Sequence, residues 1–186
     1  SFIGFAANIV IALTSFCLNV VLARYLSPQE FGEYTYYIAF ASIFLPFMDF
    51  GVSSAYIVEG AQDRHKVEML TMRALFSKLC LSLVVLPSFF MVGWWLEGEA
   101  TIILVVLASF ILTQSIYMGL SNISFIPLEK PHFFYSVRFS YEGLLLLFFC
   151  CLVWAGVSFS VIESILVTAL ASLAAVFFYF YLARSS

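Results

Sequence analysis

The chain has 186 residues, of which 63% are hydrophobic, 19% aromatic and only 10% charged, and its mean hydropathy is +1.06. A water-soluble domain carries roughly 25% charged residues, so this composition lacks the polar groups to cover a globular surface and argues against a soluble cytosolic enzyme. A net charge of −3 with eight Lys and Arg argues equally against nucleic acid, which needs a concentrated basic patch.

Crossing a hydrocarbon core of about 30 Å takes about 20 apolar residues at about 1.5 Å per residue. Apolar runs of that length cover residues 2–23, 34–58, 74–96, 101–125, 135–157 and 161–183. The expected fold class is therefore an all-α integral membrane protein, a six-transmembrane-helix bundle with no room for a folded soluble domain. A β-barrel is excluded, because barrel strands alternate polar and apolar positions and residues 144–153 are apolar throughout. The chain starts without an initiator Met and without the basic region and cleavage site of a secretory signal, so it is expected to be part of a longer protein.

In the first span Gly4, Asn8, Ala12, Ser15, Asn19 and Ala23 fall on one narrow face that ends near Arg24. Small residues suit helix packing, but two amides on one side of a lipid-embedded helix call for hydrogen-bonding partners. Ser27, Pro28 and Glu30 then read as a helix start: a hydroxyl N-cap, a proline at the first helical position, and a carboxylate placed to close a capping box. In the second span Thr35, Ser42, Asp49, Ser53 and Tyr56 recur at helical spacing as a polar stripe. Asp49 lies near mid-depth, three residues after Pro46, which frees the Ser42 carbonyl and is expected to loosen the helix there. An ionisable group at that depth costs several kcal/mol unless it faces a partner or water. Asp49 is thus a candidate coupling-ion or gating carboxylate; the alternative is that it only caps or cross-links neighbouring helices.

In the fourth span Gln114, Tyr117 and Ser121 share a face with Asn122 beside them, so spans one, two and four are expected to contribute one polar lining. Arg138 and Glu142 stand one turn apart in the fifth span, either neutralising each other at the membrane edge or forming a gate or ion site. Glu163 reads as interfacial, and Ser164, Thr168 and Ser172 read as a packing face of the sixth span. Cys17, Cys80, Cys150 and Cys151 sit in apolar runs without metal spacing, and His65 and His132 occupy separate loops, so no metal site and no cofactor are expected. No phosphate loop, nucleophile elbow or dinucleotide fingerprint is present, and no catalytic residue is assigned.

Orientation follows from the basic residues, which are retained on the cytoplasmic side. Arg64, Lys66, Arg73, Lys78, Lys130, Arg138 and Arg184 are counted on one side and Arg24 alone on the other, where the third-to-fourth connection carries Glu97 and Glu99. The amino terminus is expected to be cytoplasmic. Trp94, Trp95 and Trp154 then fall at the outer ends of spans, where an amphipathic ring prefers the interface.

The run Ala23-Arg24-Tyr25-Leu26-Ser27-Pro28-Gln29-Glu30-Phe31-Gly32-Glu33-Tyr34, followed by Asp49-Phe50-Gly51-Val52-Ser53, resembles the polysaccharide biosynthesis transporters. These are the O-antigen and lipid-linked oligosaccharide flippases of the multidrug, oligosaccharidyl-lipid and polysaccharide exporter superfamily; Phe50 replaces the usual Leu of the second motif. The resemblance is strongest over about residues 20–60. It implies one lobe, the N-terminal, of a two-lobed transporter in the cell inner membrane. Such a transporter moves a polyprenyl-diphosphate-linked oligosaccharide to the outer leaflet by alternating access. The implied partners are membrane lipid, that lipid-linked sugar, the C-terminal lobe of the same chain or a homodimer partner, and the polysaccharide assembly machinery. On this reading Asn8, Asn19, Ser42, Gln114 and Ser121 hydrate the sugar, Arg24 or Arg138 attracts the diphosphate, and Asp49 and Glu142 couple or gate. The alternatives are a cation-coupled drug exporter or peptidoglycan-precursor flippase of the same superfamily, and a non-transporting scaffold or glycosyl-transfer subunit.

Overall fold

The computed structural model describes residues 2–97, 101–127, 131–154 and 160–185. Glu99 and Lys130 lie outside these residues, as do the side-chain positions of Gly4, Arg64, Glu97, His132 and Arg184. All regular structure among the described residues is helical, as lipid requires of a chain that must satisfy its backbone internally. The helices are α1 (Phe2–Tyr25), α2 (Pro28–Asp49), α3 (Val52–Gln62), α4 (Val67–Glu97), α5 (Thr101–Phe125), α6 (Pro131–Trp154) and α7 (Val161–Ser185), with a 3-10 turn at Arg64–Lys66. The protein is an all-α membrane bundle. Five helices are each long and apolar enough to span a membrane, and α2 with α3, bent by 44° at their junction, makes a sixth candidate span when the two are taken together.

The start of α2 is set by local chemistry. The Ser27 hydroxyl accepts from the Glu30 N–H, and the Glu30 carboxylate accepts from the Ser27 N–H at 2.9 Å, which closes the capping box on Pro28. Pro46, expected to loosen the helix, does not end it. The helix runs through Pro46, whose carbonyl accepts from the Phe50 N–H at 2.8 Å, and stops where Phe50 (φ 41°) and Gly51 (φ 81°) turn left-handed. Gly51 tolerates that backbone because it has no Cβ, and the turn redirects the chain into α3.

Helix α5 is the centre of the bundle, packed on α7, α4 and α2, while α1 is attached mainly through α6. Half of the most apolar window of α5 is buried, against 22% for α1, α4 and α6. Ile111, Leu107 and Leu120 of α5, Phe89 of α4, Phe149 of α6 and Ile165 of α7 are at most 1% exposed. Hydroxyls stitch these helices together: Tyr34 to Thr168 at 3.1 Å, Thr113 to Ser172, and Thr71 to Ser124 to Tyr179 at 3.1 and 2.7 Å. Ser164, Thr168 and Ser172 are buried along α7 as a packing face. Trp94, Trp95 and Trp154 are exposed at the carboxyl ends of α4 and α6.

Candidate functional site

Breaking a helix inside a bundle strands the last carbonyls of one half and the first N–H groups of the other. At this break the orphan groups meet charge. Asp49, the last residue of α2, reaches across the turn, and its carboxylate accepts from both the hydroxyl and the N–H of Ser53 in the first turn of α3. A carboxylate there also complements the positive end of the α3 dipole. The Lys78 ammonium, from α4, donates to the same carboxylate oxygen and makes an ion pair with it. It also lies 3.4 Å from the Ser115 hydroxyl on α5.

The geometry of Lys78 is unusual for a lysine. Its side chain is 1% exposed, whereas that of Asp49 is 32% exposed, so the pair is sealed on its cationic side and open on its anionic side. Lys78 is eleven residues past Val67 in α4, about 16 Å along the helix. Gly119, one turn beyond Ser115, explains how it fits: a Cβ there would overlap Lys78 Cε and stand 2.6 Å from Nζ. The bare backbone of α5 is the bed on which the lysine lies. The charge count places Lys78 with the bases at the membrane surface; the structure corrects this, because Lys78 lies inside the 74–96 run on the buried face of α4 with Ala74 and Ser82. Removing it from the count leaves the direction of the charge bias unchanged.

Glu142 anchors a second constellation. Its carboxylate accepts from the Ser15 hydroxyl of α1 and interacts electrostatically with Arg138, Tyr34, Tyr117 and Tyr141. The Tyr117 and Tyr141 rings are 5.5 Å apart, and the Gln114 amide nitrogen is 3.5 Å from the Tyr117 hydroxyl. Gln114 Oε1 is buried without a hydrogen-bond partner among the described residues. Glu142, with Arg138 one turn away, sits where α1, α2, α5 and α6 converge.

The single lining expected of spans one, two and four is not what the helices build. Asp49 joins Lys78, and Gln114 and Glu142 join the tyrosines. Ser115 and Gln114 are neighbours on α5 but point about 100° apart, so the two constellations occupy different faces of that helix. Asn8, Asn19, Arg24, Thr35 and Ser42 are exposed. Asn19 donates to the Ser15 carbonyl at 2.8 Å and Ser42 to the Ile38 carbonyl at 2.7 Å, so each meets its polar need within its own helix. Ser121 is 4% exposed and donates to the Met118 carbonyl, which makes it a core residue rather than a lining one. The continuous stripe from Thr35 to Tyr56 fails for a simple reason: helical periodicity is reset at Phe50–Gly51, so Ser53 is buried while Ser42 is not.

Outside the spans, Lys66 pairs with Asp63 at 3.1 Å, and together with the His65 N–H it holds the Asp63 carboxyl below its ordinary value of 3.8. This fastens the turn between α3 and α4 on the side that carries most of the basic residues.

No curated protein and no solved structure matches the chain. The family model described as polysaccharide biosynthesis protein matches residues 1–186. A many-helix membrane bundle with charge buried at a broken span, matched over its whole length by that model, belongs to the polysaccharide biosynthesis protein family.

Proposed function

We infer that this bundle is one lobe of a flippase that carries a polyprenyl-diphosphate-linked oligosaccharide across the inner membrane by alternating access. The observation that carries the reading is the Asp49–Lys78 pair at the break of the second crossing. A charge pair in lipid is a functional-site hypothesis by default, and this one is placed where a helix is already bent and can rotate about two residues. In this reading the pair is a gate that fixes the angle between α2 and α3 in one state and lets it change in the other. A second lobe, or a second copy of the chain, completes the cleft. Exposed Asn8, Asn19, Arg24 and Ser42 face the headgroup, and Arg138 attracts the diphosphate. The prenyl tail stays in the bilayer, which lowers the cost of moving the polar end.

The test is delivery of lipid-linked oligosaccharide to the outer leaflet by the full-length protein, per folded molecule in the membrane. Asp49→Asn is expected to lower delivery at least about tenfold, the rate equivalent of about 1.4 kcal/mol in a barrier. Delivery at the wild-type rate by this variant overturns the gating role. A wild-type protein that moves no lipid-linked sugar overturns the flippase reading itself.

A further inference from the structure

We propose that the Asp49 site is a monovalent-cation site whose resident cation is the chain's own Lys78 ammonium, so that removing the lysine turns it into a sodium site. The inference rests on the buried site itself and deepens the gate reading above by naming what occupies the gate. Two oxygen-bearing side chains hold the ammonium, the Asp49 carboxylate at the helix break and the Ser115 hydroxyl of α5, and Ser53 from the far side of the break donates to the same Asp49 oxygen. Hydroxyl and carboxylate oxygens are the ligands that hard cations take. The ammonium fills the place of such an ion, held by its four-carbon stem lying in the space that Gly119 leaves open. A tethered ion is always present at its site, so the pair forms without drawing a cation from solution.

The two sides of the pair differ in a way that a mere structural cross-link does not require. Lys78 is sealed at 1% exposure, whereas Asp49 is 32% exposed beside the exposed residues Phe50 and Gly51. The carboxylate therefore keeps an open side that the lysine, approaching from the sealed side, does not occupy. In the intact protein the tethered ammonium out-competes an ion from solution. Without the ammonium, the Asp49 carboxylate, with the Ser53 hydroxyl bonded to it, and the Ser115 hydroxyl are left beside the space the lysine head filled, and the nearest compensation is a small cation.

The experiment uses the purified full chain in lipid nanodiscs at pH 8, with melting followed as NaCl replaces choline chloride at constant ionic strength. The wild type is expected to show no sodium-specific change. Lys78→Met is expected to show a saturable rise in Tm of about 2–4 °C or more, the size that a ligand bound only to the folded state produces. The rise should vanish in the Lys78→Met/Asp49→Asn double variant. Lys78→Gln, which keeps the length and a hydrogen-bond donor but not the charge, is read in parallel and secures the answer should the methionine variant not fold. A flat sodium response in the charge-free variants, meaning that the carboxyl takes up a proton instead, overturns the proposal; so does a wild type that responds as they do. Neither outcome touches transport, so the proposal can fail while the flippase reading stands.

Discussion

Removing either member of the Asp49–Lys78 pair strands the other, but the two losses are not equal. Without Asp49 an ammonium that is 1% exposed has no counter-charge and no water; breaking a buried pair this way costs about 3–5 kcal/mol. Without Lys78 the remaining carboxylate is 32% exposed and keeps its Ser53 bonds, so the loss should be about half as large. Asp49→Leu is therefore expected to unfold at a lower denaturant concentration than Lys78→Met, and the Asp49→Leu/Lys78→Met double variant to be more stable than Asp49→Leu alone. A double-mutant cycle on the purified protein reads this directly, and additive losses would show that the two charges do not depend on each other. At this scale the sequence was half legible. Asp49 announces itself as an acid deep inside an apolar run, but Lys78 stands only four residues into its run and five after Arg73, and so looks like one more base at the membrane edge. The signal that could have placed it was structural rather than chemical: Ala74, Lys78 and Ser82 repeat every four residues and are all buried, as the inner face of a helix demands.

At the level of elements, the second crossing works as two helices because of two residues that are not helical. Gly51, at φ 81°, has nothing within 4 Å of where a Cβ would stand, so Gly51→Ala introduces no clash and tests the backbone alone. An L-residue at that angle is strained. The variant is expected to lose about 1 kcal/mol of stability, the scale of a disfavoured left-handed residue. Amide exchange in detergent micelles should rise in α3, and not in α5, because α3 is only eleven residues long and starts at this turn. Equal exchange in α3 before and after the substitution would mean that the Asp49–Ser53 bonds, and not the glycine, hold the helix start. The capping box at Ser27 was readable from spacing alone, because capping is a contest among four consecutive residues. The break was not, since proline is the loudest helix signal in the run and it is tolerated here: the bend falls four residues later, where backbone freedom rather than a missing N–H decides.

For the whole bundle, the division of labour among polar groups separates stability from transport. Helices α2, α4, α5 and α7 are joined by buried hydroxyls, whereas α1 buries little beyond Ile11, Leu18 and Leu22 and leaves Asn8 and Asn19 exposed. Interhelical hydrogen bonds of this kind in membrane proteins contribute about 0.6 kcal/mol each, up to about 1.7. Ser172→Ala, which removes the partner of Thr113 at a fully buried position, is expected to lower stability by that amount and to leave delivery of lipid-linked sugar per folded molecule unchanged. The paired change Asn8→Leu and Asn19→Leu should do the reverse: stability within about 0.5 kcal/mol of wild type, as for surface positions generally, with delivery reduced. That the chain is a bundle of apolar helices, five or six of them long enough to span, could be read from apolar runs, because lipid sets a minimum apolar length for each span. Which faces of those spans look at one another could not, because helices that are apolar all round give periodicity nothing to act on. The two substitutions settle that face for α1. If the double leucine variant transports normally, its exposed amides look at lipid or at nothing that matters, and the headgroup path runs instead past Glu142, Tyr117 and Gln114.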